Sequence, residues 1–345
     1  MFSQADSGFF NAAAFFMKQK IIQPRLVPRN KIAVIAPSRS FSILSAEVIA
    51  QANQRFKDMG LTIEFGKHVK EINDFASSCI ESRLEDLHWA FKEPSIKAIF
   101  TVIGGFNSNQ LLKYIDWELI KNNPKIFCGY SDITALQNAI FTKTGLITYS
   151  GPHYSSFGQK LNFDYTLDYC KRCLFSTESF EVKPSSHWSD DAWFINQQDC
   201  TLRNNKGFYP ISHGQASGSI IGGNLATLQA LSGGEYFPSA QNTILFLEDD
   251  GESLPHHIDR NLQALLLNKN VRQIKGIIFG RFQKASGMTK ELLHKIVTTK
   301  KELQELPIIA NVDFGHTSPM ITFPIGGEAY IKASNDETKI IITEH

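Results

Sequence analysis

The sequence has no excess of charge of either sign. Its 345 residues include 35 Lys and Arg against 34 Asp and Glu, so the formal net charge is +1 at pH 7. Binding to nucleic acid or to an anionic membrane requires a basic surface. We therefore expect neither of these partners, and a small-molecule ligand instead. With 42% hydrophobic residues, a chain of this length can form two domains of roughly 150 residues each.

Cysteine is scarce as well. The five cysteines, at positions 79, 128, 170, 173 and 200, are odd in number and too scattered for a disulfide framework, which is typical of a protein of the reducing cytoplasm. Cys170 and Cys173 have the spacing of half a zinc site or of a redox motif, yet no second Cys or His pair completes a site. We interpret them as two thiols on a helix face, and we expect no metal and no cofactor.

No apolar run is long enough to span a bilayer, which takes roughly 18 residues. The run from Phe9 to Met17 resembles the core of a signal peptide, but Asp6 stands where such a peptide carries basic residues. We predict that residues 1–29 form a poorly ordered leader, with Met17 as an alternative translation start. Export is the alternative that this run leaves open.

Beyond residue 30, short β-branched runs alternate with amphipathic segments, a pattern typical of strands joined by helices around a largely parallel sheet. In residues 30–155 it predicts strands at 32–37, 61–65, 98–103 and 125–128, and helices at 45–59, 83–91, 108–115 and 132–144. We predict an α/β fold, with an N-terminal Rossmann-like or flavodoxin-like parallel sheet domain and a second, mixed and β-rich α/β domain.

The second domain, residues 206–345, has strand-like runs at 243–247, 275–279, 308–312 and 339–342, and Gly326-Gly327 predicts a late hairpin turn. Between the two domains, residues 156–205 are rich in aromatic residues, Ser and Asp, and show little periodicity. A long irregular segment in a compact protein is more often a functional loop than an idle one. We predict an interdomain linker that also serves as a substrate loop.

Ser131 follows the predicted strand at 125–128, in the run Cys128-Gly-Tyr-Ser-Asp132. A serine hydroxyl becomes a nucleophile when a base takes its proton, and a strand-to-helix turn presents it beside backbone N–H groups. The run resembles a nucleophile elbow, although Ile133 stands where the usual G-x-S-x-G pattern has glycine. A plain helix cap is the alternative interpretation of this serine.

A second glycine turn, Gly104-Gly-Phe-Asn-Ser108, follows the preceding predicted strand. Adjacent parallel strands would place its backbone N–H groups beside Ser131. We therefore predict an oxyanion hole formed by the N–H groups of Gly105 and Asp132, which would stabilise the negative charge that develops when a carbonyl is attacked.

We expect the base and a carboxylate to come from the second half of the chain. His316 lies in a loop directly after the predicted strand at 308–312, and loops at strand ends carry catalytic groups. Glu248 ends the strand at 243–247, where a carboxylate can hold the imidazole in the required tautomer. The alternative for His316 is an ordinary surface histidine. The alternative for Glu248 is a calcium-binding acidic loop, but the spacing of the acidic residues does not fit a calcium-binding motif. We interpret His256 and His257 as a solvated helix start, not as metal ligands.

Five motifs in fixed order resemble the LD-carboxypeptidase family, whose members include the microcin C immunity proteins. They are Gly104-Gly-Phe-Asn-Ser-Asn-Gln-Leu-Leu112, Gly129-Tyr-Ser-Asp132, Gly222-Gly-Asn-Leu225, Leu247-Glu-Asp249 and Gly315-His316. The resemblance spans nearly everything beyond residue 30. It implies a triad of Ser131, Glu248 and His316, the oxyanion hole at Gly105 and Asp132, and a substrate contact at Asn107. It also implies a homodimer of two-domain chains, with the site between the domains.

Family members cut an amide next to a carboxylate-bearing residue. In the muropeptide enzymes, cleavage of this amide releases terminal D-alanine. In the immunity branch, the amide belongs to a peptidyl or aminoacyl nucleotide. The turn Ile103-Gly-Gly-Phe-Asn lacks the arginine of the Arg-Gly-Gly-Tyr-Gly turn typical of muropeptide enzymes, which favours the immunity branch. That branch stacks a loop tryptophan on adenine, which implies Trp193 or Trp188 here. Packing of both indoles at the domain interface is the alternative.

We therefore predict a serine peptidase of the immunity type, acting on peptidyl or aminoacyl nucleotides. A muramoyl-tetrapeptide LD-carboxypeptidase of peptidoglycan recycling is the first alternative. The second is a protein that binds nucleotides at its glycine turns without covalent chemistry, although neither turn matches a dinucleotide-binding or P-loop motif.

Overall fold

The computed structural model describes residues 19–271 and 273–345, which form two sheets with helices packed on their faces. Residues 30–155 contribute the strands β1 Lys31–Ile35, β2 Thr62–Phe65, β3 Ile96–Thr101, β4 Ile126–Gly129 and β5 Thr148–Ser150, and the helices α1 Ala46–Asp58, α2 Ile80–Lys92, α3 Trp117–Asn122 and α4 Thr134–Thr144. Residues 156–205 contribute α5 Asp164–Phe175, β6 Phe180–Glu181, β7 His187–Trp188 and β8 Arg203–Asn204.

The remaining elements come from residues 206–345. The strands are β9 Tyr209–Ser212, β10 Gly214–Asn224, β11 Thr243–Glu248, β12 Gly276–Gly280, β13 Ile308–Val312, β14 Phe323–Ile325, β15 Glu328–Ala333 and β16 Thr338–Glu344. The helices are α6 Leu225–Gln229, α7 Pro255–Leu267 and α8 Lys290–Thr298. Among the described residues, no helix is long and apolar enough to cross a membrane.

The first sheet has the strand order β14-β5-β4-β3-β1-β2, and its five strands from the N-terminal half are parallel. Buried apolar residues cover both faces of β1 and β3, as expected where helices pack on both sides of a parallel sheet. The carboxyl ends of β3 and β4 lie side by side. The glycine turn after β3 and Ser131 after β4 therefore meet at one edge of the sheet.

The second sheet has the order β6-β16-β15-β10-β11-β12-β13-β9. Its centre, β10 to β13, is parallel, and the outer strands are antiparallel. Glu248 is the last residue of β11, and His316 lies four residues beyond the end of β13. The predicted α/β fold, a parallel sheet domain followed by a mixed one, is confirmed.

The two sheets meet where α4 packs against the end of β10. Asn138 of α4 donates to the carbonyl of Gly222 at 2.8 Å, and the N–H of Asn224 donates to Thr134 Oγ1 at 3.0 Å. A Cβ atom on Gly223 would lie 2.4 Å from Thr134 Oγ1. Glycine is required there because the helix that follows Ser131 packs directly on the second sheet.

The structure differs from the sequence prediction at the start of the described chain. Residues 19–29 are not a loose leader, because Leu26 is 1% exposed and the N–H of Ile21 donates to the carbonyl of Gly145 at 2.9 Å. These contacts fix the segment against the first sheet. The rest of the predicted leader, residues 1–18, lies outside the described residues.

Two further local predictions were wrong. The helix predicted at 108–115 is a short 3-10 turn, Ser108–Leu111, and the next helix begins at Trp117 because Asp116 caps it by accepting from the N–H of Leu119 at 2.9 Å. Gly326-Gly327 is not a hairpin turn. It joins β14, the edge strand of the first sheet, to β15 in the second.

The segment 156–205 is also more regular than predicted. It contains the twelve-residue helix α5, whose Cys170 and Cys173 are buried and unpaired. Strand β6 adds an edge to the second sheet by pairing with β16. Residues 185–205, which we call the tryptophan loop, are the irregular part of this segment.

Candidate active site

Ser131 occupies a strained turn between β4 and α4. Its φ angle is 59°, in the left-handed region that a non-glycine residue adopts at an energetic cost, and such strain is a feature of nucleophile elbows. Tyr130 before it is extended, and a 3-10 turn, Ser131–Ile133, leads into α4. No side-chain cap bond is made at this helix start. The structure therefore gives Ser131 the geometry of an elbow and not that of a helix cap.

Three of the sequence-predicted site residues form a continuous chain of contacts. The hydroxyl oxygen of Ser131 lies 3.0 Å from Nε2 of His316, and Nδ1 of the same ring lies 2.7 Å from Oε2 of Glu248. With the proton on Nδ1 donated to the carboxylate, Nε2 can accept the serine proton. The first sheet thus contributes the hydroxyl, and the second contributes the imidazole and carboxylate.

The electrostatics of His316 favour its protonated form. Burial lowers the pKa of the imidazole, but the negative charge of Glu248, the hydrogen bond to it and the charges of Asp250 and Asp249 outweigh this and raise the pKa above its ordinary value. A base with a raised pKa holds a proton more firmly once it has accepted one. This arrangement suits the transfer of a proton from a serine hydroxyl.

Asp132 and the glycine turn are joined by two serines. Ser38 Oγ donates to Asp132 Oδ2 at 2.6 Å, and the N–H of Ser108 donates to the same oxygen at 2.9 Å. A Cβ atom on Gly105 would lie 2.3 Å from Ser38 Oγ, so Gly105 and Asp132 both lie against this hydroxyl.

The backbone N–H groups of Gly105 and Asp132 are available for a ligand. Within the described residues the N–H of Gly105 has no protein acceptor. The N–H of Asp132 is in the first turn of a helical segment, where no helix carbonyl precedes it. Asn107, the predicted substrate contact, is 7% exposed, and its Oδ1 lies 3.5 Å from Ser38 Oγ. Its side chain therefore packs within the turn.

A cavity of about 280 Å³ opens beside the glycine turn, between residues 73–80 and residues 106–110. The rings of Phe75 and Phe106 lie 6.4 Å apart at its wall, edge to face, and both side chains are more than half exposed. The cavity is lined by Phe106 and Asn107 of the glycine turn, and Ser131 and His316 are not among its lining residues.

The tryptophan loop is attached to the loop that carries His316. The N–H of Ser189 donates to the carbonyl of Ser318 at 2.7 Å, and the N–H of Ser318 donates back at 2.8 Å. Ser318 is two residues from His316. The loop that carries the two tryptophans is therefore joined to the loop that carries His316.

The two predicted tryptophans have different surroundings. Trp188 packs against cations: the guanidinium of Arg281 lies 5.0 Å from its ring centre, that of Arg203 5.6 Å and the ammonium of Lys284 5.8 Å. Trp193 is half-buried and its ring meets that of Phe194 at 5.9 Å. Trp188 is thus packed against charged side chains of the protein, whereas the ring contact of Trp193 is with its neighbour Phe194.

His153, which the sequence analysis missed, lies beneath the glycine turn. Residue 153 is 1% exposed, Nδ1 of its ring lies 2.8 Å from Thr101 Oγ1, and the ring of Tyr130 packs against it in a tilted contact, with the ring centres 4.3 Å apart. Burial and the charge of His316 lower the pKa of His153 to about 3, so the ring is neutral. Its place directly after β5, at the same sheet edge as Ser131, was the signal in the sequence.

Asp249 is a second missed residue. Its Oδ1 accepts from the side chain of Asn224 at 3.0 Å, while its Oδ2 is buried with no partner in the described part of the chain. Burial and the neighbouring charge of Glu248 raise the pKa of Asp249 to about 6. The two acids beside His316 therefore differ, because Glu248 is bonded to the imidazole and Asp249 is not.

The two adjacent histidines stand where the sequence predicted them, at the start of α7 after Pro255, with the rings of His256 and His257 4.2 Å apart. Within residues 19–271 and 273–345, no group of three or more His, Cys, Asp or Glu side chains is arranged to hold a metal ion.

Comparison with known sequences gives two family matches. Residues 32–151 match the LD-carboxypeptidase N-terminal domain and residues 217–331 match the LD-carboxypeptidase C-terminal domain. The putative carboxypeptidase YocD of Bacillus subtilis is 50% identical over 93% of this chain and 99% of the relative. The microcin C7 self-immunity protein of Escherichia coli is 31% identical over 87% and 91%, and a probable murein peptide carboxypeptidase of Bacillus subtilis is 30% identical over 90% and 91%.

Comparison with solved structures agrees with the sequence matches. A protein from Bacillus anthracis described as similar to the microcin immunity protein superposes with a TM-score of 0.93 at 48% identity, over 94% of this chain and all of that one. The microcin immunity protein in complex with glutamyl sulfamoyl guanosine superposes with a TM-score of 0.85 at 29% identity, over 94% and 98%.

Proposed function

This chain belongs to the LD-carboxypeptidase family and is a serine-type carboxypeptidase or hydrolase, and from that premise we propose that it cleaves the amide of peptidyl or aminoacyl nucleotides with Ser131, His316 and Glu248. The observation that carries the proposal is the unbroken path of two contacts, 3.0 Å and 2.7 Å, from the serine hydroxyl to the carboxylate.

In the proposed mechanism, Ser131 Oγ attacks the carbonyl carbon of the scissile amide while its proton passes to Nε2 of His316. Glu248 holds the ring in position and stabilises the imidazolium. The N–H groups of Gly105 and Asp132 bind the oxyanion. The imidazolium then protonates the leaving amine, and the C–N bond breaks. Water, deprotonated by His316, hydrolyses the acyl-enzyme and restores the serine.

Two observations support a nucleotide as the leaving group. The microcin immunity protein, 31% identical to this chain, has been solved with aminoacyl sulfamoyl nucleosides. Among the described residues no cation packs against the ring of Trp193, in contrast to Trp188, and its loop is bonded to the His316 loop through Ser318. An indole in this position can stack on a base.

A muropeptide is the second candidate substrate, because a probable murein peptide carboxypeptidase is 30% identical over 90% of this chain. The same residues would then release a C-terminal amino acid. The alternative of a protein that only binds nucleotides does not agree with the family membership. A homodimer and a cytoplasmic location stay predictions.

The test offers the purified protein an aminoacyl sulfamoyl adenosine and a murein tetrapeptide, beside the variants Ser131→Ala and Ser239→Ala. Ser239 is an exposed serine that precedes β11, at the end of that strand opposite to Glu248, and serves as the matched control. We expect turnover of the nucleotide substrate by the wild type and by Ser239→Ala, and none by Ser131→Ala. Hydrolysis by Ser131→Ala at the wild-type rate would contradict the mechanism. Turnover of the tetrapeptide but not of the nucleotide substrate would show that the muropeptide is the substrate.

A further inference from the structure

The proposed reaction brings an anion into acidic surroundings. A peptide substrate of a carboxypeptidase carries a terminal carboxylate one carbon away from the scissile nitrogen, and an acyl nucleotide carries a phosphoryl or sulfamoyl group at that nitrogen. The site itself contributes Glu248, Asp249 and Asp250 at the end of β11, and Asp132 next to the nucleophile. Like charges repel in a partly buried site. Binding of the substrate therefore requires a cation near the scissile amide.

The cations around the site are mostly engaged within the protein. Arg281 pairs with Asp313 at 2.5 Å, and Arg203 pairs with Asp190 at 3.4 Å. Arg83 is 3% exposed and donates to the carbonyls of Pro37 and Asn107 and to the side chain of Gln110. The glycine turn adds no cation, because the residue that precedes it, where muropeptide enzymes typically have arginine, is Ile103.

Arg39 differs from these residues. It is exposed, and within the described residues its guanidinium has no hydrogen bond or ion pair. Its backbone N–H donates to the carbonyl of Gly104 at 3.3 Å, and its Cγ lies 3.0 Å from the point where a Cβ atom of Gly105 would stand. The stem of the side chain therefore lies along the turn whose N–H we assign to the oxyanion.

The backbone around Arg39 is fixed on both sides. Ser38 Oγ donates to Asp132 Oδ2, and Ser77 Oγ donates to the carbonyl of Ser38 at 2.6 Å. Arg39 pairs with Ser77 in a β-bridge, and the N–H of Ser40 donates to the carbonyl of Ala76 at 2.8 Å. These contacts fix the backbone that carries the Arg39 side chain beside the glycine turn, and a planar guanidinium in that place can recognise a substrate anion.

We propose that the guanidinium of Arg39 binds the anionic group on the leaving side of the scissile amide. This inference rests on the proposed function and assigns its anion specificity to one residue. The group is a carboxylate in a peptide substrate and a phosphoryl or sulfamoyl oxygen in a nucleotide substrate. Arginine presents a planar pair of donors that matches either anion.

The test compares substrates that differ in this charge alone. The proteins are wild type, Arg39→Gln, Arg39→Lys and the control Arg29→Gln, which removes an exposed arginine before the start of β1, at the opposite edge of the sheet. The substrates form two pairs. The first is the murein tetrapeptide and its uncharged C-terminal amide, and the second is an aminoacyl sulfamoyl adenosine and the uncharged aminoacyl amide of 5′-amino-5′-deoxyadenosine. We expect Arg39→Gln to lower kcat/KM roughly 10- to 100-fold on the anionic substrate that is turned over. The value on the amide should not change, and Arg39→Lys should be intermediate.

An equal loss on the amide and on the acid, or an equal loss in Arg29→Gln, would overturn the assignment. A wild type that turns over none of the substrates would contradict the proposed function. In that case the assignment is decided by titrating N-acetyl-D-alanine and AMP into wild type and Arg39→Gln at low salt. A ligand that binds the wild type but not Arg39→Gln supports the role of Arg39 and shows which anion the site binds. Equal binding by both proteins, or no binding by either, overturns it.

Discussion

Oε2 of Glu248 lies 2.7 Å from Nδ1 of His316, although the two residues leave different strands and β12 lies between those strands. Glycines make this approach possible. A Cβ atom on Gly280, the last residue of β12, would lie 2.9 Å from Cβ of Glu248, and one on Gly315 would lie 2.5 Å from Oε2 itself. The carboxylate therefore reaches the imidazole across a strand end that has no side chain.

The first prediction concerns the charge of this carboxylate. Glu248→Gln removes the charge that raises the pKa of His316, so that pKa should fall. The imidazole acts as a base only when neutral, and kcat/KM therefore rises with pH through this pKa. We expect the rising limb above pH 6.5 in the wild type, a shift of this limb to lower pH in the variant, and a kcat roughly 10,000-fold lower.

The control for this measurement is Glu302→Gln, which removes an exposed acid. It should keep both the wild-type midpoint and the wild-type kcat. The same midpoint for wild type and Glu248→Gln would show that Glu248 does not set the charge state of the base.

The second prediction concerns Gly104. A Cβ atom there would lie 2.9 Å from Cβ of Ser131 and 3.0 Å from its Oγ, closer than carbon atoms pack. Gly104→Ala should displace the serine, and a shift of this kind lowers kcat by roughly 100-fold. Gly234→Ala, where the nearest atom is 3.3 Å away, is the control. Steady-state kinetics and Tm are measured for both. An alanine at 104 with wild-type kcat would mean that Ser131 has room to move without loss.

The third prediction separates the two tryptophans. Trp193→Ala should weaken binding of an aminoacyl sulfamoyl adenosine, because stacking of a base on an indole contributes about 1–3 kcal/mol, and should leave Tm unchanged. Trp188→Ala should lower Tm instead, because three cations pack against that ring. Calorimetric titration into Ser131→Ala backgrounds gives the affinities. A larger loss of affinity in Trp188→Ala would reverse the assignment.

The fourth prediction concerns the stability of the fold in acid. The pKa of His153 is lowered to about 3 in the folded protein, against about 6.5 in the unfolded chain. As the pH falls below 6.5 the unfolded chain takes up the proton first, so stability is lost, by about 2 kcal/mol at pH 5. His153→Gln removes this contribution.

We therefore expect the unfolding free energy of His153→Gln to fall less between pH 7.5 and pH 5 than that of the wild type, measured by urea denaturation. His294→Gln, which replaces an exposed histidine of α8, should behave as the wild type. Parallel losses in wild type and His153→Gln would show that the buried ring takes up a proton in the folded state.

Local periodicity predicted most of the elements that hold the site. Near the predicted runs the strands Lys31–Ile35, Ile96–Thr101 and Ile126–Gly129 form because buried apolar residues continue on both faces. The helix after Ser131 ends at Gly145, whose φ angle is 81°. The three residues of the proposed triad could be chosen because each follows a strand. Their mutual distances could not, since these depend on the docking of α4 onto β10.

Apart from the helix predicted at 108–115, which a local cap at Asp116 displaced, the failures share one physical cause. The hairpin predicted at Gly326-Gly327 assumed that the strands before and after it pair with each other. Instead, the backbone of this turn bonds to Ile220 of β10. The N–H of Ile220 donates to the carbonyl of Gly327 at 2.8 Å, and its carbonyl accepts from the N–H of Gly326 at 2.7 Å. Arg39 was missed because nothing in its own sequence neighbourhood differs from an ordinary loop, and His153 was missed because the strand before it, β5, was not predicted. Pairings between distant segments leave no periodic pattern in the sequence.

The position of β14 means that neither half of the chain is a complete folding unit. Phe323–Ile325 pairs antiparallel with β5, which is the neighbour of the strand that ends before Ser131. A fragment that stops at residue 205 would lack this strand and leave the backbone of β5 unpaired at a sheet edge, where such strands template association with other chains. The C-terminal half thus contributes two things to the site of Ser131. It provides the base, His316, and it provides β14, the edge strand of the sheet that carries Ser131.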